Sequence, residues 1–319
     1  MKKPLKLNKY YYTQTRFLYH CHIKIKLPVS VDEMLLEECF TILENIERQY
    51  NSYVPGSYFF QLNENAGRWI HIDETTRYLL EETIVMNRHS CGTFDITIMP
   101  LLRFWGFYHN DAQKLLPSQE KIKESLKFVD SGLIEFNGNQ ARLAVGQELV
   151  TGSFIKAYAI DQVVSFLKAR GVKDALINAG GSTIVALNDE ENPYWEISIP
   201  YPHNTQTELM RLRLSNSCLS LSGRSSHYVL INGKQYGHII NARTGLPSAN
   251  WQAAVLTSEA FAGDLLATSL FALDETDVPV FVSKLSKYDQ FQYYLIGEKQ
   301  DCDTVKFIHS KSSNYAANT

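Results

Sequence analysis

Asp264 and Thr268 stand four residues apart in a segment of helical character, so a carboxylate and a hydroxyl project from one face. Two hard oxygens of this kind suit Mg2+, which takes few protein ligands and completes its shell with phosphate and water. The neighbours Ala262, Gly263, Leu265, Leu266 and Ala267 make a small, apolar setting in which a carboxylate needs a partner. Asn178-Ala179-Gly180-Gly181 joins two strand-like stretches, and its glycines let backbone NH groups approach a ligand closely. Lys156, early in another helical stretch, offers positive charge to a phosphate. His238 lies between a strand-like run and the turn-rich Asn241 to Pro247, a setting that suits a general base. Arg243 in that turn can hold a phosphate or a carboxylate. Each residue also has a plain structural reading: a surface Asp, a tight turn, a solvent-facing lysine, a packed histidine. Ser222-Gly223-Arg224-Ser225-Ser226 is not GxSxG, and Gly152 to Lys156 lacks the GK[ST] ending of a P-loop.

The elements that must position these residues follow from periodicity. Tyr19 to Leu27 alternates strictly, which predicts a half-buried strand with His20, His22, Lys24 and Lys26 on its outer face. Ser30-Val31-Asp32-Glu33 reads as a capping box opening a helix that runs to about Tyr50. A second helix is expected over 75–90. Gly132 to Val150 is strand-like, with Asn137-Gly138 as a hairpin turn. Ile160, Val163, Val164 and Leu167 share one face of a helix near 155–170, closed by Gly171. Short strands over 175–178 and 184–187 flank the glycine pair. Further strands are expected over 194–200, 209–214 and 228–231, and a last helix over 258–273 carries Asp264 and Thr268. Strands and helices mix without regular βαβ alternation, which predicts an α+β fold.

The chain has 319 residues, with 31 Lys and Arg against 34 Asp and Glu, a formal charge of −3. Without a long run of one sign, a broad nucleic-acid surface is not expected. The 18 Tyr, 16 Phe and 4 Trp are an excess of aromatics. Phe40, Phe166 and Phe271 fall in apolar patterns and belong to a core. Cys21, Cys39, Cys91, Cys218 and Cys302 are scattered without a CxxC pair, so neither zinc nor a disulfide framework is indicated. No stretch approaches the ~20 apolar residues of a membrane span. Met1-Lys2-Lys3 precedes a polar stretch, Leu5 to Gln14, rather than the apolar core of a signal peptide. The sequence as written therefore predicts a cytoplasmic protein, or a periplasmic one if a leader has been removed.

Several segments carry a likeness when taken in order. Phe94 to Leu101 (FDITIMPL) followed by Trp105-Gly106-Phe107 resembles FDPTxxPLxxxWGF, and Gly152 to Asp161 (GSFIKAYAID) resembles GGIAKGYAVD. Asn178 to Gly181 matches NAGG. Ser222-Gly223, His238 and Arg243 to Pro247 match SG…HIxxxRTGxP. Gly263 to Thr268 (GDLLAT) matches ADALAT, and Ser52-Tyr53 to Leu62-Asn63 resembles STYRPDSELSRLN. These patterns are those of the ApbE family of FAD:protein FMN transferases, and the likeness covers roughly residues 15–275.

The resemblance implies one domain over 1–319 with an ApbE-like fold of mixed, mainly antiparallel sheets and packed helices. It implies FAD as substrate and Mg2+ held by Asp264, Thr268 and the backbone carbonyl of Ser153. Tyr53, Thr93, Phe94, Asp95, Lys156, Asn178, Gly180, Gly181, Ile239 and Arg243 are the implied nucleotide contacts, with the rings of Tyr53 and Phe94 able to pack on a flavin or adenine. The implied reaction is attack by a Thr or Ser hydroxyl of an acceptor protein on the FMN phosphorus, expelling AMP, with His238 as base. The sequence departs from the family at four acidic positions, which are Val150, Ser182, Arg224 and Asn241, and at the glycine after the lysine, which is Ala157. An FAD-binding protein without catalysis, or an FAD pyrophosphate hydrolase, are the alternatives these departures leave.

Overall fold

A computed structural model describes residues 10–108, 116–225, 227–285, 288, 291–298 and 305–310. Met1 to Leu5, Ser226 and Cys302 lie outside the described residues. In chain order, β1 (Tyr11–Leu18) and β2 (Cys21–Pro28) form an antiparallel hairpin. Then come α1 (Met34–Tyr50), α2 (Tyr58–Glu64), β3 (Ile70–His71), α3 (Glu74–His89), α4 (Met99–Phe104) and α5 (Gln119–Leu126). The strands β4 (Glu135–Asn137) and β5 (Gln140–Arg142) precede α6 (Ile155–Ala169), β6 (Ala175–Ala179) and β7 (Thr183–Leu187). Next are β8 (Trp195–Tyr201), β9 (Asn204–Leu214), β10 (Ser217–Gly223), β11 (Tyr228–Ile231) and β12 (Lys234–Gly237). β13 (Ile240–Asn241), β14 (Leu246–Pro247), β15 (Gln252–Thr257), α7 (Ala260–Ala272), α8 (Val278–Ser283), β16 (Gln292–Ile296) and β17 (Ile308–His309) complete the order.

Eight strands form one sheet in the order β1-β2-β6-β7-β10-β15-β16-β17, every neighbouring pair antiparallel. This is the expected α+β class. Period-two alternation sorts each strand onto two faces. One face sends Ile23, Ile25, Ile177, Val185 and Val255 against Phe40 and Leu43 of α1, Ile160 and Val163 of α6, and Leu265 and Leu266 of α7. The opposite face sends Ile184, Leu219, Ala254 and Tyr294 against Ile197, Ile199 and Leu214 of the β8–β9 hairpin. A third cluster gathers Ile98, Leu102, Trp105, Phe107, Val150, Val229 and Ile240 beside the sheet.

Three local expectations need correction. Tyr19 and His20 are not strand residues; they turn the β1–β2 hairpin with φ of 51° and 58°, a left-handed pair that the hairpin twist requires. His20 and His22 therefore do not share a strand face. Ser30 does not cap α1, which starts at Met34 without a side-chain cap at Glu33; Asp32 Oδ1 accepts from Met34 N at 3.0 Å instead. Of the strand-like stretch from Gly132 to Val150, only β4 and β5 are strands, and a 3-10 turn over Ser131–Leu133 precedes them. Phe40 and Phe271 are core residues as read, whereas Phe166 is half-buried under the Arg170 guanidinium.

Candidate active site

α7 brings Asp264 and Thr268 to the end of the sheet where β10 finishes. It lies so close that a Cβ added at Gly263 would sit 2.6 Å from Ser220 Oγ and 2.7 Å from Thr257 Oγ1. Thr183 of β7 directs its hydroxyl between the two Asp264 carboxylate oxygens, 3.0 Å from each. Burial raises the Asp264 carboxyl above the ordinary value, opposed by the nearby Lys156 charge and by the Ser220 and Thr183 hydroxyls. Ser222 Oγ stands 3.5 Å from Thr268 Oγ1. Lys156 occupies the first turn of α6 and donates from Nζ to Ser182 Oγ. Gly152 and Ser153, just before that helix, line the same cavity as Lys156, so a lysine and the positive end of the α6 dipole lie beside it, an arrangement suited to an anion.

α6 and α7 are tied to each other. The Asp161 carboxylate accepts from Ala260 N and Phe261 N, each at 2.8 Å, satisfying two otherwise unpaired donors at the start of α7. Burial raises Asp161 to about 6 despite these bonds.

His238 follows β12, and its partner is set by the β11–β12 ladder. Tyr228 pairs with Gly237, so the flanking His227 and His238 meet with ring centroids 5.0 Å apart. The His227 carbonyl accepts from His238 N at 3.1 Å and from Nδ1 at 3.0 Å. A carbonyl can only accept, so Nδ1 carries the proton and Nε2 keeps its lone pair. Burial and the adjacent His227 lower His238 to about 4, which keeps it neutral at physiological pH.

Aromatic rings complete the enclosure. Tyr53 lies 5.5 Å from Tyr108 and edge-on to His20 at 5.9 Å. Its loop is locked to the approach to α6: Ser52 N donates to Thr151 Oγ1 at 2.9 Å, and Asn63 exchanges two hydrogen bonds with the Leu149 backbone. Asp95 accepts from Asn87, from Ser131 N and twice from Thr97, so its carboxylate shapes the loop presenting Thr93 and Phe94. Trp105 Nε1 donates to Gly245 O at 2.8 Å and fixes the turn after β13. Gly245, at φ 70°, leaves no room for a side chain: a Cβ would lie 2.5 Å from Ile122.

One cavity of about 560 Å3 is lined by Tyr53, Thr93, Phe94, Asp95, Ser153 and Lys156. His238, Ile239, Asp264 and Thr268 line the same cavity. Asn178, Gly180 and Gly181 do not; they line a second hollow behind the sheet. Arg243 does not either, being exposed and paired with Asp277 at 3.3 Å. His227 and Tyr108 line the cavity without having been singled out, and His20, expected on an outer strand face, lines it as well. The Asn232-Gly233 turn between β11 and β12, with φ of 51° and 77°, is the signal that pairs His227 with His238.

The departures have structural accounts. Arg224 is 6 % exposed, donates to the carbonyls of Ser248, Ala249 and Asn250, and stacks 4.3 Å over Trp251. Asn241 Oδ1 accepts from Arg243 N and Thr244 N, the turn-forming role an aspartate would also serve. Val150 joins the third apolar cluster at the cavity wall. Ser182 leaves Lys156 hydrogen-bonded to a neutral group.

A family model described as the ApbE family matches residues 19–292. The chain is 26 % identical over 257 residues to an FAD:protein FMN transferase of Haemophilus influenzae, covering 77 % of this chain and 74 % of that protein. It is 25 % identical over 258 residues to one of Vibrio cholerae, covering 79 % and 77 %. The fold is shared with the ApbE protein of Thermotoga maritima, at a TM-score of 0.80 and 22 % identity, covering 90 % of this chain and 94 % of that one. The Pseudomonas stutzeri flavinyl transferase ApbE in its apo form gives a TM-score of 0.77 at 22 % identity, covering 94 % of both chains.

Proposed function

The chain belongs to the ApbE family, and from that premise we propose that it transfers FMN from FAD to a threonine or serine hydroxyl of a target protein, with Mg2+, releasing AMP. The observation that carries the reading is the single cavity in which Asp264, Thr268, Ser153, Lys156 and His238 face aromatic walls. Its volume is within the range of nucleotide-sized pockets.

The donor set fits Mg2+. Among the described residues no three His, Cys, Asp or Glu side chains cluster, so no cage for a soft or fully protein-bound ion is assembled. One carboxylate with the Thr268 hydroxyl and the Ser153 carbonyl is an all-oxygen set of single negative charge, which leaves positions for phosphate and water. When bound, the ion would neutralise pyrophosphate charge.

The chain's own groups divide the work. Lys156 holds the pyrophosphate by charge, and the start of α6 adds the positive end of its dipole. Tyr53 and Phe94 offer flat apolar surface to a ring system. The acceptor oxygen bonds to the FMN phosphorus, the bond from that phosphorus to the bridging oxygen breaks, and that oxygen leaves with AMP. The hydroxyl proton passes to Nε2 of His238, whose Nδ1–H stays anchored on the His227 carbonyl. Holding His238 neutral keeps that lone pair free.

The test is incubation of the purified protein with FAD, Mg2+ and a soluble flavin-acceptor domain, followed by in-gel flavin fluorescence. A fluorescent acceptor band with AMP release is the expected result. AMP release without acceptor would identify hydrolysis instead, and tight FAD binding without AMP would identify a flavin-binding protein.

A further inference from the structure

Among the described residues Arg224 is the only buried arginine or lysine, and the transfer chemistry above uses none of its atoms. Its Nε donates to Asn250 O and its Nη2 to Ser248 O, each at 3.2 Å, and Nη2 also donates to Ala249 O. The Trp251 ring lies 4.3 Å from the guanidinium carbon. A flat cation with its donors in a fixed fork can serve three successive carbonyls while stacked on an indole. An ammonium, a point charge on a flexible stem, cannot do both.

The segment held in this way is a junction. Residues 248–250 belong to no strand or helix, so side-chain bonds set their shape. Toward α7, Ser248 Oγ donates to Phe271 O, and Asn250 Nδ2 donates to Phe271 O at 2.9 Å and to Leu273 O at 2.7 Å. These bonds satisfy carbonyls that a helix end leaves open, about one turn past Thr268. Toward β12, Ser248 N donates at 2.9 Å to the carbonyl of Ile239, the residue after His238. The Arg224 stem closes the other side. A Cβ added at Gly237, the residue before His238, would lie 3.1 Å from Arg224 Cγ. His238 is thus flanked by one residue packed on Arg224 and one bonded to the segment Arg224 holds.

Resting on the transfer reading, we infer that Arg224 is a positioning residue, fixing His238 relative to the Asp264–Thr268 pair through the 248–250 segment. The base sits on the link from β12 to β13 and the pair on α7, so the two need a common anchor. Proton removal and charge neutralisation serve one transfer, and a misplacement of about 1 Å costs on the order of a hundredfold in rate.

Arg224→Lys keeps the charge and removes the fork. The expected result is a kcat lowered about ten- to a hundredfold, with the acceptor KM and the Kd for FAD within about threefold of the parent. Asn250→Ala severs the α7 half of the junction with Arg224 in place, and the two losses should not add in the double variant. Ile199→Ala, a core truncation in the β8–β9 hairpin, is the stability control and should keep the parental kcat. Parental kcat in Arg224→Lys, additive losses, or an equal kcat loss in Ile199→Ala would overturn the inference and leave Arg224 a packing residue. Hydrogen exchange read by mass spectrometry needs no turnover and separates this inference from the transfer reading. Arg224→Lys should accelerate exchange over both 237–240 and 268–273; acceleration confined to 248–251 would overturn the inference even in an active enzyme. A parent that transfers no FMN yet shows the paired acceleration removes the transferase and leaves the anchoring standing.

Discussion

His238 owes its chemistry to one carbonyl. The His227 oxygen fixes the tautomer, and burial beside a second ring holds the imidazole at about 4 rather than the usual ~6.5. His238→Ala is expected to lower kcat by about 10²- to 10⁴-fold with FAD affinity retained, read by stopped-flow AMP release and flavin fluorescence. The same depressed value links folding to pH. Between about 4 and ~6.5 the unfolded chain binds a proton that the folded one refuses, so the His238 contribution is present above that window and is lost as pH falls through it. In urea titrations, His238→Gln should lack the loss of stability that the parent shows as pH falls from ~6.5 to about 4. Asp264 is the other decisive residue. Asp264→Ala should abolish Mg2+-dependent turnover, and unchanged turnover would contradict its metal role. The Asp264–Thr268 pair is legible as a spacing of four, and both residues do reach one cavity. Arg243 is a contrary case: a turn arginine looked suited to an anion, but Asp277 and solvent claim it.

At the scale of elements, α6 and α7 form one frame. Lys156 and Asp161 sit on α6, and Asp161 grips the start of α7, whose second and third turns carry Asp264 and Thr268. Removing that grip in Asp161→Ala leaves two backbone donors unpaired and should cost about 1 kcal/mol, measured by denaturant unfolding. Its pH dependence runs opposite to that of His238. Because burial raises Asp161 to about 6, its protonated form favours folding; that contribution is full below the ordinary ~3.8 and is lost as pH rises through about 6. Asp161→Asn should flatten this slope. Gly263→Ala is expected to destabilise by about 1–3 kcal/mol through overpacking, with partial recovery on adding Ser220→Ala. The helices carrying these residues were visible because 3.6-residue periodicity survives burial on one face. β10 was not among the expected strands although Leu219 to Ser222 alternates; pairing with β7 and β15 is what places it in the sheet. The turn at Tyr19 and His20 was hidden because their alternation with the following residues imitates a strand.

Across the whole molecule, the antiparallel sheet separates two environments, a helical side holding the cavity and a hairpin-covered side holding the second hollow. Sequence order alone suggested the fold class and ten of the cavity residues, but which hollow each loop would face depends on strand register, and no local pattern encodes that. A ligand that fills the cavity should stabilise the whole fold. FAD with Mg2+ at ~100 times its Kd should add about 2.7 kcal/mol, seen as a rise in Tm that Asp264→Ala diminishes. The central claim meets its most direct test in intact mass spectrometry of the acceptor domain after reaction with FAD and Mg2+, with AMP quantified in the same sample. The account predicts one FMN joined per acceptor with loss of water, one AMP per FMN transferred, and neither product with Asp264→Ala. An unmodified acceptor beside a protein that still binds FAD tightly would contradict it.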